Sequence, residues 1–370
     1  MEGGPRRAVI LVAVALVVVS LTVFIIWLRP AQSSGVSSCF LSGAGSTFQF
    51  PQIAQWASLF KKAKGIDVTY QFVGSGAGLS MFLGDRVVDF AASDVPLTRG
   101  RFEKYRGRVM QIPWILGAVA VVYNVPEIPG NYNLKLSAEA LAKIYRGEVV
   151  YWDDPAIKEL NPDIASLLPH REIIAVHRSD SSGTTEIFTA FLHEASPGTW
   201  PRDLVGKTVN WLVDNTGRGV GAKGNEGVTV TITQTPYSIG YVELGYALEY
   251  SLPVAAIENS AGKFVLPTDN SVMNAMKGVT LPSSPLDDFS NVLYETVYSP
   301  HPDSYPIASP VFLIVWSSYE DKCKAMALSE FLKWIVEEGY RNMVPGYIEP
   351  PDEAKNLLLK ASSILAGEKT

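Results

Sequence analysis

The arrangement of apolar and polar positions divides the chain into two unlike parts. From Ala8 to Leu28 the sequence is apolar and free of charge, preceded by Arg6-Arg7 and followed by Arg29-Pro30. At about 1.5 Å per residue this run crosses the ~30 Å hydrocarbon core of a bilayer, and it exceeds the ~7–15 residues of a signal-peptide core. It predicts an uncleaved membrane anchor at residues 8–28, with a cleaved signal peptide as the alternative. The arginines ahead of it favour the N-terminus inside and everything after residue 30 outside. Residues 31–37 read as a short polar tether.

From Phe40 the pattern changes to short strand-like blocks alternating with stretches of helical period. A Gly-rich turn, Gly43-Ala44-Gly45-Ser46-Thr47-Phe48, feeds the helical pattern Ile53, Trp56, Leu59, Phe60. A strand over Asp67–Phe72 leads into Gly74-Ser75-Gly76-Ala77-Gly78 and the helical run Leu79–Leu83, and a strand at Val87–Ala92 ends at Ser93-Asp94. Ile112–Tyr123, Ile173–Val176, Ser238–Glu243 and Pro310–Trp316 read as further strands, with helices around Ala138–Arg146, Ile187–Ala195 and Ala325–Val336. Gly217–Gly227, with five glycines in eleven residues, reads as a flexible surface loop. The alternation predicts α/β layers with largely parallel sheets, in which ligands bind at the carboxyl ends of strands.

Three turns, at 45–47, 74–76 and 182–184, place a hydroxyl residue and a glycine in front of a helix. The third belongs to His177-Arg178-Ser179-Asp180-Ser181-Ser182-Gly183-Thr184-Thr185, where a permanent cation has an acid two residues on. A helix start leaves N–H groups unpaired and carries the positive end of the macrodipole, so these turns describe an anion seat. The glycine spacing at 74–78 does not fit a dinucleotide fingerprint.

Composition narrows the function classes. At 370 residues and 47% hydrophobic the chain is globular, with room for more than one compact body. A net charge of −6 without a basic stripe argues against nucleic acid. Histidines stand scattered at 170, 177, 193 and 301, so neither a metal site nor a cofactor is predicted. Cys39 and Cys323 are either one disulfide closing a long loop or two separately buried thiols.

The segments at 43–48, 74–76, 88–94, 178–184, 221–227 and 239–243, taken as a set in order and spacing, resemble the phosphate-binding proteins of ABC phosphate transporters. Those belong to the periplasmic-binding-protein superfamily. The resemblance implies an α/β fold of two lobes joined by a hinge, with lobe I at 39–115 plus 304–370, lobe II at 116–303, and residues 1–38 as anchor and tether. It implies a monomeric, non-enzymatic binder of inorganic phosphate outside the cytoplasm, partnered by a permease and ATPase. A binder of sulfate, molybdate or tungstate and a membrane-tethered phosphate sensor are the alternatives.

Carried over by position, Thr47 and Ser75 would donate to phosphate from lobe I with backbone help from Ser46 and Phe48. Asp94 would accept a hydrogen bond from the phosphate's protonated oxygen. Ser182, Gly183 and Thr184 would close from lobe II, and Arg178 would bring the guanidinium, steered by Asp180. Two positions depart from the pattern: Gly76 stands where the family often has a second serine, and Glu186 brings an acid to the helix start.

Overall fold

The structure, a computed structural model, describes residues 39–368. The anchor predicted at 8–28 and the tether lie outside the described residues, among which no helix is long and apolar enough to cross a membrane. Both cysteines are disulfide-bonded, so the buried-thiol alternative falls.

Eleven strands follow in chain order among the described residues: β1 (Phe40–Gly45), β2 (Asp67–Gln71), β3 (Phe90–Ser93), β4 (Val109–Asn124), β5 (Lys135–Leu136), β6 (Ile174–Arg178), β7 (Gly219–Ala222), β8 (Ser238–Glu243), β9 (Ala256–Glu258), β10 (Phe264–Val265) and β11 (Ala308–Trp316). Eight form one sheet in the order β2-β1-β3-β11-β4-β8-β6-β7, and β10-β9-β5 form a small second one. Packed on them are α1 (Phe50–Lys64), α2 (Ser75–Leu79), α3 (Ala138–Tyr145), α4 (Gly183–Ala195), α5 (Gly224–Gln234), α6 (Leu244–Glu249), α7 (Lys322–Glu337) and α8 (Asp352–Ala366).

Local sequence explains the best-formed helices. Pro51 sits in the first turn of α1, where its missing N–H costs nothing, and Lys61, Lys62 and Lys64 face the negative end of the dipole before Gly65 terminates it at φ 72°. Its apolar face buries Ile53, Trp56 and Phe60, the pattern expected from the sequence.

Two expectations are corrected. The sheet is mixed: β1–β2, β1–β3, β6–β7 and β6–β8 are parallel, but β3–β11, β11–β4 and β4–β8 are antiparallel. The parallel pairs lie toward the two ends, and the long strands β4 and β11 run between them. Along β4 the partner changes: Ala118 still lies opposite Ala308 of β11, whereas the next residue, Val119, lies opposite Glu243 of β8. One strand thus belongs to both halves of the fold. Second, Gly217–Gly227 is no loose loop but β7 and the start of α5. Its glycines answer close contact instead of mobility, since a Cβ at Gly219 would stand 1.9 Å from Asp214 Oδ1, and Gly224 takes φ +71° to turn into the helix.

Candidate functional site

The parallel strands of the two halves point their carboxyl ends at one another, and the hydroxyl-rich turns follow those ends. β1 delivers Ser46 and Thr47, β3 delivers Asp94, and β6 delivers Arg178 and the turn into α4. Ser46, Thr47, Phe48, Ser75, Asp94, Arg178, Ser182, Gly183 and Thr184 are all buried, and the Asp180 side chain is only 12% exposed. The three turns separated in sequence therefore meet in space.

Asp94 is the centre of the arrangement. Its Oδ1 accepts from Ser46 Oγ and from Gln49 Nε2 at 3.1 Å, and its Oδ2 from Thr184 Oγ1 at 3.3 Å. The backbone N–H of Asp94 donates to Ser75 Oγ at 3.3 Å. Gln49 is fixed in turn by the Trp114 indole, which donates to its Oε1 at 2.6 Å. Burial pushes the Asp94 carboxyl up, against the hydrogen bonds of Ser46 and Gln49 and the charges of Arg178 and Lys207. Gly183 is required here, because a Cβ would stand 2.7 Å from both Asp94 Oδ2 and Ser75 Oγ.

Arg178 lies at the end of β6 with its side chain 1% exposed. Nε and Nη2 clasp the two oxygens of Asp180 at 2.7 and 2.5 Å, while Nη1 reaches Thr184 Oγ1 at 3.3 Å. Asp180 also accepts from Gly224 N at 3.0 Å. Burial would raise the Asp180 carboxyl, but the Arg178 bonds and charge outweigh it and hold it below the usual range. The pair is a buried fork that aims the guanidinium, not a surface ion pair. At the start of α4, Ser182 Oγ caps Thr185 N at 3.1 Å, which leaves the Gly183 and Thr184 N–H groups as the first of the helix.

Several supporting residues escaped the sequence reading. Asn225 at the start of α5 donates to Thr47 Oγ1 through N and Nδ2 at 3.1 and 3.0 Å, and accepts from Glu243 N at 2.9 Å. Three tyrosines hold the backbone of the first turn: Tyr70 on Ser46 O, Tyr246 on Thr47 O and Tyr347 on Phe48 O. Asn225 sits inside a segment already singled out; the tyrosines carry no local signal. The acid that broke the family pattern, Glu186, is paired with Lys207. His177, next in sequence to Arg178, is turned to Asp214 and stacks on Trp211. Among the described residues no three His, Cys, Asp or Glu side chains group as metal ligands.

Comparison with known proteins places these features in context. The family profile described as a PBP superfamily domain matches residues 29–338. The phosphate-binding protein PstS of Methanocaldococcus jannaschii is 39% identical over 349 residues, covering 91% of this chain and 89% of its own. The Haemophilus influenzae protein of that name is 42% identical over 237 residues, 64% of this chain and 67% of its own. In three dimensions the chain is similar to a periplasmic phosphate-binding protein solved with phosphate, PfluDING (TM-score 0.66, 22% identity, covering 85% and 92%). It is also similar to the ancestral soluble variant of the Human Phosphate Binding Protein (TM-score 0.69, 20% identity, covering 90% and 99%). The structural likeness carries the two-lobed architecture.

Proposed function

The chain belongs to the periplasmic-binding-protein superfamily and, within it, to the family of the PstS phosphate-binding proteins, and from that premise we propose how its own residues bind phosphate for an ABC importer. It is a binding protein and not an enzyme, as its relatives are. Thr47, Phe48 and Ser75 present hydroxyl and N–H donors from the first half, whereas Ser46, expected to help through its backbone, has its N–H on the Ala92 carbonyl and its hydroxyl on Asp94; Ser182, Gly183 and Thr184 present donors from the second. Arg178, held by Asp180, supplies the full charge.

The observation that carries the reading is Asp94, a 1% exposed carboxylate among donors. An acid in an anion seat is costly unless the anion brings a proton. Hydrogen phosphate carries an O–H for Asp94 to accept, whereas sulfate at neutral pH carries none and would leave a buried, like-charged, unpaired carboxylate at a cost of several kcal/mol. The seat therefore accepts phosphate and turns away sulfate by what it leaves unsatisfied.

The lobes in this reading are 39–115 plus 304–370, and 116–303; the partner change of β4 at Ala118/Val119 falls three residues past the first boundary. The protein acts as a monomer tethered by the 8–28 run, outside the cytoplasm, handing phosphate to a permease and its ATPase. The disulfide-bonded cysteines fit an oxidising compartment. Titration calorimetry on a soluble form beginning near Ser33, with phosphate, sulfate, molybdate and tungstate at two pH values, tests the function. Tight phosphate binding with sulfate silent is expected; silence toward phosphate overturns it.

A further inference from the structure

Glu243 is a carboxylate in an unusual place. It ends β8 opposite Val119, at the point where β4 passes from one half to the other. It is 0% exposed, and its Oε1 accepts from Gly245 N at 2.8 Å. Its Oε2 is the one buried side-chain oxygen or nitrogen without a hydrogen-bond partner among the described residues. The space beside it is tight: at Gly245 a Cβ would stand 2.8 Å from Glu243 Oε2 and 3.1 Å from the Pro345 carbonyl oxygen. Gly346, at φ +98°, backs onto Gly245 from a segment of the first half whose Ile348 bridges to Leu116 on β4. Two glycines thus bring the halves into backbone contact beside an unpaired carboxyl oxygen.

We propose that Glu243 is a positioning residue of the hinge, a neutral carboxylic acid when the halves are closed on the ligand, and that its ionisation opposes closure. The proposal rests on the phosphate-binding reading above. Its link to the seat is short: the Glu243 N–H fixes Asn225 Oδ1, and Asn225 holds the Thr47 hydroxyl.

The surroundings favour the neutral form. The titratable groups bearing on Glu243 are Tyr347 from the segment after α7, Tyr246 on α6 and Asp94 at the end of β3. None supplies a positive charge, and the Tyr347 hydroxyl proton is committed to Phe48 O at 2.6 Å. A buried carboxylate with one oxygen unpaired costs several kcal/mol, whereas the acid presents an O–H toward a space bordered by a carbonyl. Burial accordingly pushes the Glu243 carboxyl up to about 8, over the smaller opposing effects of Gly245, Tyr347 and Tyr246. Opening the hinge hydrates the group and returns it toward the ordinary carboxylate range, so closure takes up a proton between that range and about pH 8. Affinity then falls as pH rises through that window, by up to about tenfold per pH unit.

The test is phosphate affinity against pH for the full chain and for Glu243→Gln, which keeps the shape and never ionises. Phosphate's own ionisation is common to both proteins and cancels in the ratio. The ratio of wild-type to variant affinity is expected to fall with rising pH and level off above about 8; a ratio independent of pH overturns the proposal. Should the variant not fold, infrared spectra of the wild type labelled with 13C-glutamate decide. A glutamic-acid C=O band gained on adding phosphate at neutral pH supports the assignment, and a closed protein without one overturns it. If the wild type fails to bind phosphate at all, the functional reading falls. Phosphate binding with a pH-independent ratio, by contrast, overturns the role of Glu243 alone.

Discussion

Ser181 occupies the space that a side chain at position 76 would need: a Cβ on Gly76 would stand 2.0 Å from Ser181 Oγ and 2.5 Å from Ser181 Cβ. The backbones meet there too, with Gly76 N donating to Ser181 O at 3.0 Å. Ser181, from the opposite half, thus fills the space in which a side chain at 76 would stand. Gly76→Ala should therefore obstruct closure and weaken phosphate binding tenfold or more, about 1.4 kcal/mol. Adding Ser181→Gly should restore most of it. Calorimetry on the two variants checks this, and an unaffected Gly76→Ala would mean the halves do not meet at Ser181 when phosphate is bound.

Asp94→Asn exchanges an acceptor-only group for one that donates as well. The Asp94 oxygens receive Ser46, Gln49 and Thr184, so the amide should keep the fold while losing the discrimination. Phosphate should weaken by about 1–3 kcal/mol, and sulfate binding should become measurable. Competition of sulfate against phosphate in both proteins is the readout, and an unchanged preference would remove Asp94 as the source of selectivity.

Much of the seat was legible because its determinants are local. A hydroxyl, a glycine and an apolar period after them specify a helix start, so the turns at 45–47 and 182–184 could be read without knowing what they face. What brings them together is not local. Tyr347 holds Phe48 from almost 300 positions away, and the Trp114–Gln49–Asp94 chain joins three elements. Glu243 read as the end of a strand because its role depends on β4 changing partners, which pairing alone reveals. Gly217–Gly227 misleads for the opposite reason: glycines needed for close contact look the same in sequence as glycines that loosen a loop.

Asp180 should be felt in stability as well as in binding. Its carboxyl is held below the usual range, because the Arg178 bonds and charge outweigh burial. An acid depressed in the folded state adds stability that is present above its unfolded value of about 3.9 and is lost as pH falls through the folded value. Asp180→Asn should thus be less stable than the wild type at pH 7, with the difference shrinking once pH drops beneath the ordinary carboxylate range. Urea denaturation at neutral and acid pH measures it. Phosphate affinity should fall as well, since Arg178 loses one of its two hydrogen bonds to position 180 and the charge that holds it.

The pair Lys207–Glu186 explains how an acid is tolerated in the first turn of α4, and it makes a sharper claim than the presence of either charge. Both side chains are largely buried, 16% and 12% exposed, so neither is fully screened by water. Glu186 at a helix start is favourable to the helix dipole but unfavourable to an anion bound at the same N–H groups, and Lys207 removes that conflict by neutralising it. Its charge also acts on Asp94, opposing the rise that burial causes. Lys207→Met should then weaken phosphate by about 1–3 kcal/mol, the scale of leaving one buried partner uncompensated. Glu186→Gln alone should change affinity little, because it removes an acid already neutralised. Combined, the two should recover most of what Lys207→Met lost, and that non-additivity is the diagnostic quantity. Additive losses across the cycle would show that Lys207 serves the seat by its own charge. Full affinity in Lys207→Met would show that Glu186 lies outside the field of the bound anion.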